Sequence, residues 1–257
     1  MKTLTNLFWK DRLKASGIHL CLSVVVALLA ALLVFGLWYP YPYREISGGR
    51  ELFLIVVIVD VILGPLITLA VFNRAKPWIE LRRDLVIVVL IQLSALGYGL
   101  WTVFVARPVH MVFEYDRFRV VHAVDVPSVL LSRAPNNINA LPITGPTLLS
   151  LRPFKDAKEK MDATMAALEG VSLSARPDLW QRYEMAKNEI WQVAKPVAEL
   201  KVRFAAQSMA IDEAIARTGR KPEALAYLPV IGRKSYWTVI LDPATAEILG
   251  FIPLDSF

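Results

Sequence analysis

Three apolar runs fill most of the first 105 residues and leave the chain few choices of fold. Residues 18–38 carry no formal charge, residues 52–72 carry one (Asp60), and residues 85–105 carry none. Each run is long enough to cross a hydrocarbon layer about 30 Å thick, which takes roughly 20 helical residues. In lipid every backbone N–H and C=O must be satisfied within the segment, so each run is expected to be a membrane-spanning α-helix. Composition says the same: 55% of the 257 residues are hydrophobic and 20% charged, too apolar for an ordinary soluble domain. Residues 106–257 have ordinary globular composition and suffice for one domain. The expected fold class is therefore a membrane protein, three N-terminal transmembrane α-helices followed by an α+β soluble domain.

The first run follows a basic stretch (Lys2, Lys10, Arg12, Lys14) but ends in Trp38-Tyr39-Pro40-Tyr41-Pro42-Tyr43, with no small-residue cleavage site. It reads as a retained anchor rather than a signal peptide. Trp9, Trp38, Trp78 and Trp101 fall near the expected boundaries, where an amphipathic ring is stable. The N-terminal stretch with Leu4, Leu7, Phe8 and Leu13 is open to two readings, a short interfacial helix or a solvated basic tail. The single cysteine, Cys21, excludes an intrachain disulfide and is expected to be a small buried hydrophobe.

Sidedness follows from Lys and Arg near the spans. Residues 1–17 hold four, residues 39–51 two balanced by Glu45 and Glu51, and residues 73–84 four: Arg74, Lys76, Arg82 and Arg83. The N-terminus and the second loop are expected in the cytoplasm, with residues 106–257 outside it as a periplasmic domain. The chain's excess positive charge lies largely in these flanks, which face anionic lipid, so no nucleic-acid partner is implied.

In the soluble part, residues 111–126 read as one or two strands and the Pro-, Asn- and Ser-rich residues 126–152 as loop. Helices are expected over 154–169, with Met161, Met165 and Leu168 as core positions, over 177–194, and over 196–217 with Gly219 closing the last. The end reads as a hairpin of strands 236–241 and 247–252 around Asp242-Pro243-Ala244-Thr245.

No nucleophile elbow, phosphate loop, dinucleotide fingerprint or metal-ligand spacing occurs. His19 sits at a membrane edge, and His110 and His122 read as surface or strand-face residues. No catalytic residue, cofactor or metal is expected. What stands out is polar and lies inside the spans. Asp60 is near mid-bilayer, where a carboxylate is costly unless paired, wet or protonated. Gly64-Pro65 follows one turn later, and Pro65 frees a carbonyl near residue 61 and kinks the helix. The third run carries Gln92, then Gly97 and Gly99, which permit close helix approach. Either Asp60 and Gln92 hydrogen-bond each other to hold the bundle, or a partner helix docks on this polar, kinked face.

The stretches WYP at 38–40, VDVILGPLITLAVF at 59–72, KPWIELRRDL at 76–85, IQLSALGYG at 91–99 and RPVHMVFEYDRFRVVHAVDV at 107–126 resemble the type IV pilin accessory proteins, the TfpX/TfpZ family. Arg82-Arg83 is more basic than that pattern leads one to expect. The resemblance implies an inner-membrane accessory of type IV pilus biogenesis that helps to assemble or display a cognate major pilin and is not an enzyme. It implies contact with the pilin, with inner-membrane lipid and with other pilus assembly proteins. It also implies that the pilin waits in the membrane as one apolar helix with a positive amine and a glutamate near its start. The positions singled out for partner binding or structure are Asp60, Gly64, Pro65, Gln92, Tyr98, Arg107, Asp116 and Arg117. The alternative is a membrane-anchored periplasmic sensor signalling through a partner, since the cytoplasmic segments are too short for an output module. A pilin-modifying transferase is disfavoured, because such enzymes have more spans and an acidic catalytic loop.

Overall fold

The structure is a computed structural model that describes residues 2–257, with side chains from Trp9 onward. The apolar side chains of the N-terminal stretch at Leu4, Leu7 and Phe8 lie outside the described residues. The backbone there is helical, continuous with the first span. The chain divides into two units. A helical unit comprises Met1–Leu37 and Gly49–Val105, and a sheet unit comprises Trp38–Gly48 and Ala106–Phe257.

Three helices are long and apolar enough to cross a membrane: Trp9–Trp38, Gly49–Val71 and Trp78–Val105. The first is α1 (Lys2–Leu33) extended by a π-helical turn, Val34–Trp38. A short helix, α2 (Tyr43–Ile46), lies in the loop that follows. The second span is α3 (Gly49–Val57), a π-helical turn Ile58–Leu63, and α4 (Gly64–Val71). The third is α5 (Trp78–Val105). The first span packs along α4, and α5 packs along α3. Gly99 makes the latter contact possible, since a Cβ there would lie 2.7 Å from Val56 Cγ2. Cys21 is exposed on α1 rather than buried. A helix with a wide apolar surface has too few neighbours in a three-helix unit to cover every face.

The sheet unit is built on an eight-stranded mixed sheet. Its strands are β1 (Pro108–Glu114), β2 (Arg117–His122), β3 (Thr147–Leu151), β4 (Trp180–Arg182), β5 (Lys195–Pro196), β6 (Ala226–Ile231), β7 (Tyr236–Leu241) and β8 (Ile248–Ile252). The order is β4-β3-β1-β2-β6-β7-β8, with β5 pairing β6 beside it. β1–β3 and β2–β6 are parallel and the other pairs antiparallel. Both faces are covered, so β1 is buried at every position. One face packs Met111, Phe113, Phe118, Val120, Leu228 and Val239. Tyr43 and Ile46 of the loop between the first two spans belong to this same core. Helices α6 (Ala157–Leu168), α7 (Lys187–Val193), α8 (Val197–Arg203) and α9 (Ser208–Thr218) complete the unit. Residues 111–126, read as one or two strands, fall on β1 and β2, the terminal hairpin is present, and Gly219 ends α9 with φ of 67°.

Several expectations fail for physical reasons. The loop expected over 126–152 contains β3, held between β1 and β4. The helix expected over 177–194 is formed only at Lys187–Val193. Before it come two 3-10 turns, Pro177–Leu179 and Tyr183–Ala186, flanking β4. Leu179, Tyr183, Ala186 and Ile190 are all buried as the spacing requires. Successive 3-10 turns bury every third or fourth residue too, so spacing alone does not demand one α-helix. The helix expected over 196–217 is broken at Phe204 into α8 and α9. Met161, Met165 and Leu168 are exposed; Ala163 is the α6 residue that is buried.

Candidate functional site: a polar groove among the apolar spans

The second span departs from ideal helix where its sequence demands it. Pro65 has no N–H to donate to the carbonyl four residues back, and its ring collides with that carbonyl. The π-helical turn Ile58–Leu63 directly precedes Gly64-Pro65 and loosens the hydrogen-bond ladder at that point. Asp60 lies within this turn and is 7% exposed. Its Oδ1 has no hydrogen-bond partner. One turn on, the Pro65 carbonyl accepts from Ser16 Oγ at 2.9 Å. Thr68 Oγ1 lies 2.5 Å from His19 Nδ1.

Gln92 reaches in from α5. A Cβ on Gly64 would overlap Gln92 Nε2 and stand 2.7 Å from its Cδ. Glycine at 64 is therefore the seat of the Gln92 amide. Asp60 and Gln92 line one groove but do not bond each other, so the interhelical Asp60–Gln92 hydrogen bond is absent. The groove is about 600 Å³ in volume, with Leu22, Val26, Val88 and Leu93 among its apolar walls and His19, Ser23, Asp60, Thr68 and Gln92 as its polar groups. The Asp60 Oδ1 in this lining is a buried acceptor without a partner, and chemically it suits a hydrogen-bond donor or a positive charge. Among the described residues, no cluster of three or more His, Cys, Asp and Glu could hold a metal.

Of the positions singled out in the sequence, Asp60, Gly64, Pro65 and Gln92 come together here. Tyr98 does not. It is 69% exposed on α5, its ring 6.1 Å from that of Trp101. Arg107 is buried in the sheet unit, where Nε donates to the Pro142 carbonyl at 3.2 Å and Nη2 to that of Leu141 at 3.4 Å. Burial lowers its pKa, opposed by the Tyr39 phenol. Asp116 and Arg117 form the tip of the β1–β2 hairpin, paired at 2.7 Å, after Tyr115 in the left-handed region. Arg117 also lies over the Phe257 ring. All three positions lie in the sheet unit. Ser16, His19 and Thr68 were not singled out. Ser16, His19 and Ser23 recur at intervals of three and four on one face of an otherwise apolar helix, and that stripe was the available signal.

The family model described as fimbrial assembly protein FimB matches residues 7–48. The chain is 35% identical over 246 residues to the fimbrial assembly protein of serogroup I from Dichelobacter nodosus, covering 95% of both chains. The serogroup E1 protein of the same organism matches with the same identity and coverage. The protein of serogroups C1 and C2 is 43% identical over 113 residues, 44% of this chain and 86% of that one. No solved structure matches. Similarity at this level along nearly the whole length, joined to three apolar spans and an α+β unit, settles the assignment: this chain belongs to the family of fimbrial assembly proteins.

Proposed function

We propose that the chain serves fimbrial assembly from the inner membrane, as a chaperone-like, non-enzymatic partner of a cognate major type IV pilin. The groove among the spans takes the pilin's apolar helix and holds the subunit until it enters the growing pilus. The sheet unit is periplasmic in this reading and faces the pilin headgroup. Other pilus assembly proteins are the onward recipients, and inner-membrane lipid covers the remaining apolar surface of the spans.

The observation that supports this reading is the Asp60 carboxylate, buried among apolar side chains with one oxygen unpartnered. A charge at the centre of a spanning helix costs at least about 2.5–3.5 kcal/mol on insertion scales. An unmet acceptor there adds nothing to the stability of the lone protein. It gains most from an incoming donor or positive charge, because attraction strengthens in a low dielectric. A pilin helix that brings a positive amine into the membrane supplies such a group.

Asp60→Asn is the test. It preserves shape and hydrogen-bonding capacity while removing the charge. The variant is expected to accumulate normally in the membrane, to lose site-specific crosslinking between the groove and the pilin helix, and to lose surface pili. Normal piliation by Asp60→Asn, or its disappearance from the membrane, would leave Asp60 a structural residue and end the docking reading.

A further inference from the structure

The sheet unit has a second groove, of about 410 Å³, where β2 and β6 separate. These strands run parallel, and their pairing ends at Arg119↔Ile231. β2 continues to His122, whereas β6 stops and the chain turns through Gly232 and Arg233. The groove lies at the carboxyl ends of both strands, the end of a parallel pair where crevices commonly receive ligands.

Two guanidinium groups, Arg119 and Arg233, line this groove beside one carboxylate, Asp125. Asp125 is already engaged on both oxygens. Oδ1 accepts from Arg233 Nη2 at 2.6 Å, and Oδ2 lies 3.1 Å from both the backbone N and Nδ1 of His122. Arg119 uses Nε on Glu114, at 2.9 Å, which stands outside the lining. A guanidinium has five N–H donors, and these ion pairs occupy one on each arginine. His122 also lines the groove, 1% exposed, with its Nε2 lacking any hydrogen-bond partner.

We propose that this groove is a binding site for one carboxylate group, held by the remaining N–H donors of Arg119 and Arg233. The planar carboxylate matches the fork of a guanidinium. Arg119 already pairs with Glu114 and Arg233 with Asp125, so the lining is near charge balance and a ligand of one negative charge disturbs it less than one of two. The volume lies within the range of about 300–1,000 Å³ typical of small-ligand pockets. The carboxylate is carried either by a polypeptide, as a chain terminus or acidic side chain, or by a free small acid.

The chain has three histidines, and His122 is the one that lines this groove. The full-length protein in detergent micelles, with isotope-labelled histidine, therefore reports on the site through one resonance. Three probes are added in turn: acetate, N-acetyl-Ala-Ala with a free carboxylate, and its carboxamide. The groups facing His122 are Asp125 and Arg233, with Arg119 in the lining. A bound carboxylate adds negative charge and favours the imidazolium, so the His122 titration midpoint rises. Both acids are expected to shift the His122 signal saturably, and the amide to leave it unmoved. Arg233→Gln and Arg119→Gln are each expected to weaken binding about tenfold or more, the size of one hydrogen bond to a charged group. Lys158→Gln, an equal charge change outside the groove, is expected to have no effect. Tighter binding of the peptide than of acetate assigns the carrier to a polypeptide, and equal binding assigns it to a free acid. The proposal is overturned by an unresponsive His122, by an equal response to the amide, or by undiminished binding in both arginine variants with the His19 and His110 signals in place.

Discussion

Asp60 and His110 are both polar groups withdrawn from water, and the chain treats them in opposite ways. His110 is fully buried on β1 and fully satisfied. Its Nε2 lies 3.0 Å from the Ala140 carbonyl, its Nδ1 2.7 Å from Thr147 Oγ1, and its ring 4.5 Å from that of Trp180. A carbonyl only accepts, so Nε2 carries the proton and Nδ1 accepts from the threonine hydroxyl. Burial pushes the imidazole pKa down from 6.5 to about 4, opposed by the hydrogen bond to Ala140. The folded state thus resists a proton that the unfolded chain accepts. Between pH 6.5 and 4 the unfolded state binds more protons, and stability falls as the pH drops through that window. The full effect is about 3 kcal/mol, since each tenfold loss of proton affinity is worth about 1.4 kcal/mol. His122, whose pKa burial also lowers, adds a loss of the same sign. Chemical denaturation of the sheet unit at several pH values is expected to show this slope, and His110→Gln to flatten it. An unchanged slope in the variant would remove His110 as its source. Asp60, with its Oδ1 unmet, has no such internal resolution, and the docking proposed above would supply the missing partner.

Among the elements, the segment Trp38–Gly48 is the one whose sequence least resembles its role. It joins the first two spans, yet it is part of the sheet unit. Tyr39 and Ile46 are fully buried there, and Tyr43 Oη donates to Met111 Sδ at 3.6 Å. Lys234 N donates to the Ile46 carbonyl at 3.0 Å. A Cβ at Gly232 would overlap Ile46 Cγ2, so only glycine lets the two segments close. Ile46→Ala is expected to destabilise the sheet unit by about 2–5 kcal/mol, the usual cost of a buried isoleucine truncated to alanine. Faster proteolysis within residues 106–257 of the full-length variant would display it, and unaltered protection would show that the segment is dispensable. The spans were legible because membrane crossing imposes one requirement on about 20 consecutive residues. This segment was not, because its partners at Met111, Phe251 and Gly232 are distant in sequence. β6 was missed for a local reason: Pro229 argues against a central strand. The structure accommodates it because β5 pairs with Ala226 and Tyr227 while β2 pairs with Val230 and Ile231. Pro229 falls between the two and has no N–H to supply to either. In the groove, Asp60, Gly64, Pro65 and Gln92 were legible from the cost of polarity and of proline in a spanning helix. Thr68 was not, because a hydroxyl becomes notable only when a second helix brings it to a partner, and His19 carried a signal only through its stripe with Ser16 and Ser23.

For the molecule as a whole, sidedness decides which surface can meet which partner. Eight of the ten Lys and Arg residues in the three span flanks lie in residues 1–17 and 73–84. Arg74 reaches Asp11 at 3.4 Å, so these two flanks share one end of the helical unit. Lys76 pairs with Asp84 at 2.6 Å within the second flank. The remaining flank, residues 39–51, has two basic residues offset by Glu45 and Glu51, and its Trp38–Gly48 portion belongs to the sheet unit. Any orientation that exports residues 106–257 must therefore also export this loop, and must keep the eight-charge end inside. Translocation disfavours moving basic flanks across the membrane, and short loops carry most of that bias. The orientation proposed above, with the basic end in the cytoplasm and the sheet unit in the periplasm, meets both requirements. An alkaline phosphatase fused after Phe257, active only outside the cytoplasm, is expected to be active. The same enzyme inserted within residues 73–84 is expected to be silent. Activity at the second site with silence at the first would invert the molecule, place the sheet unit in the cytoplasm, and remove the pilin headgroup from its reach.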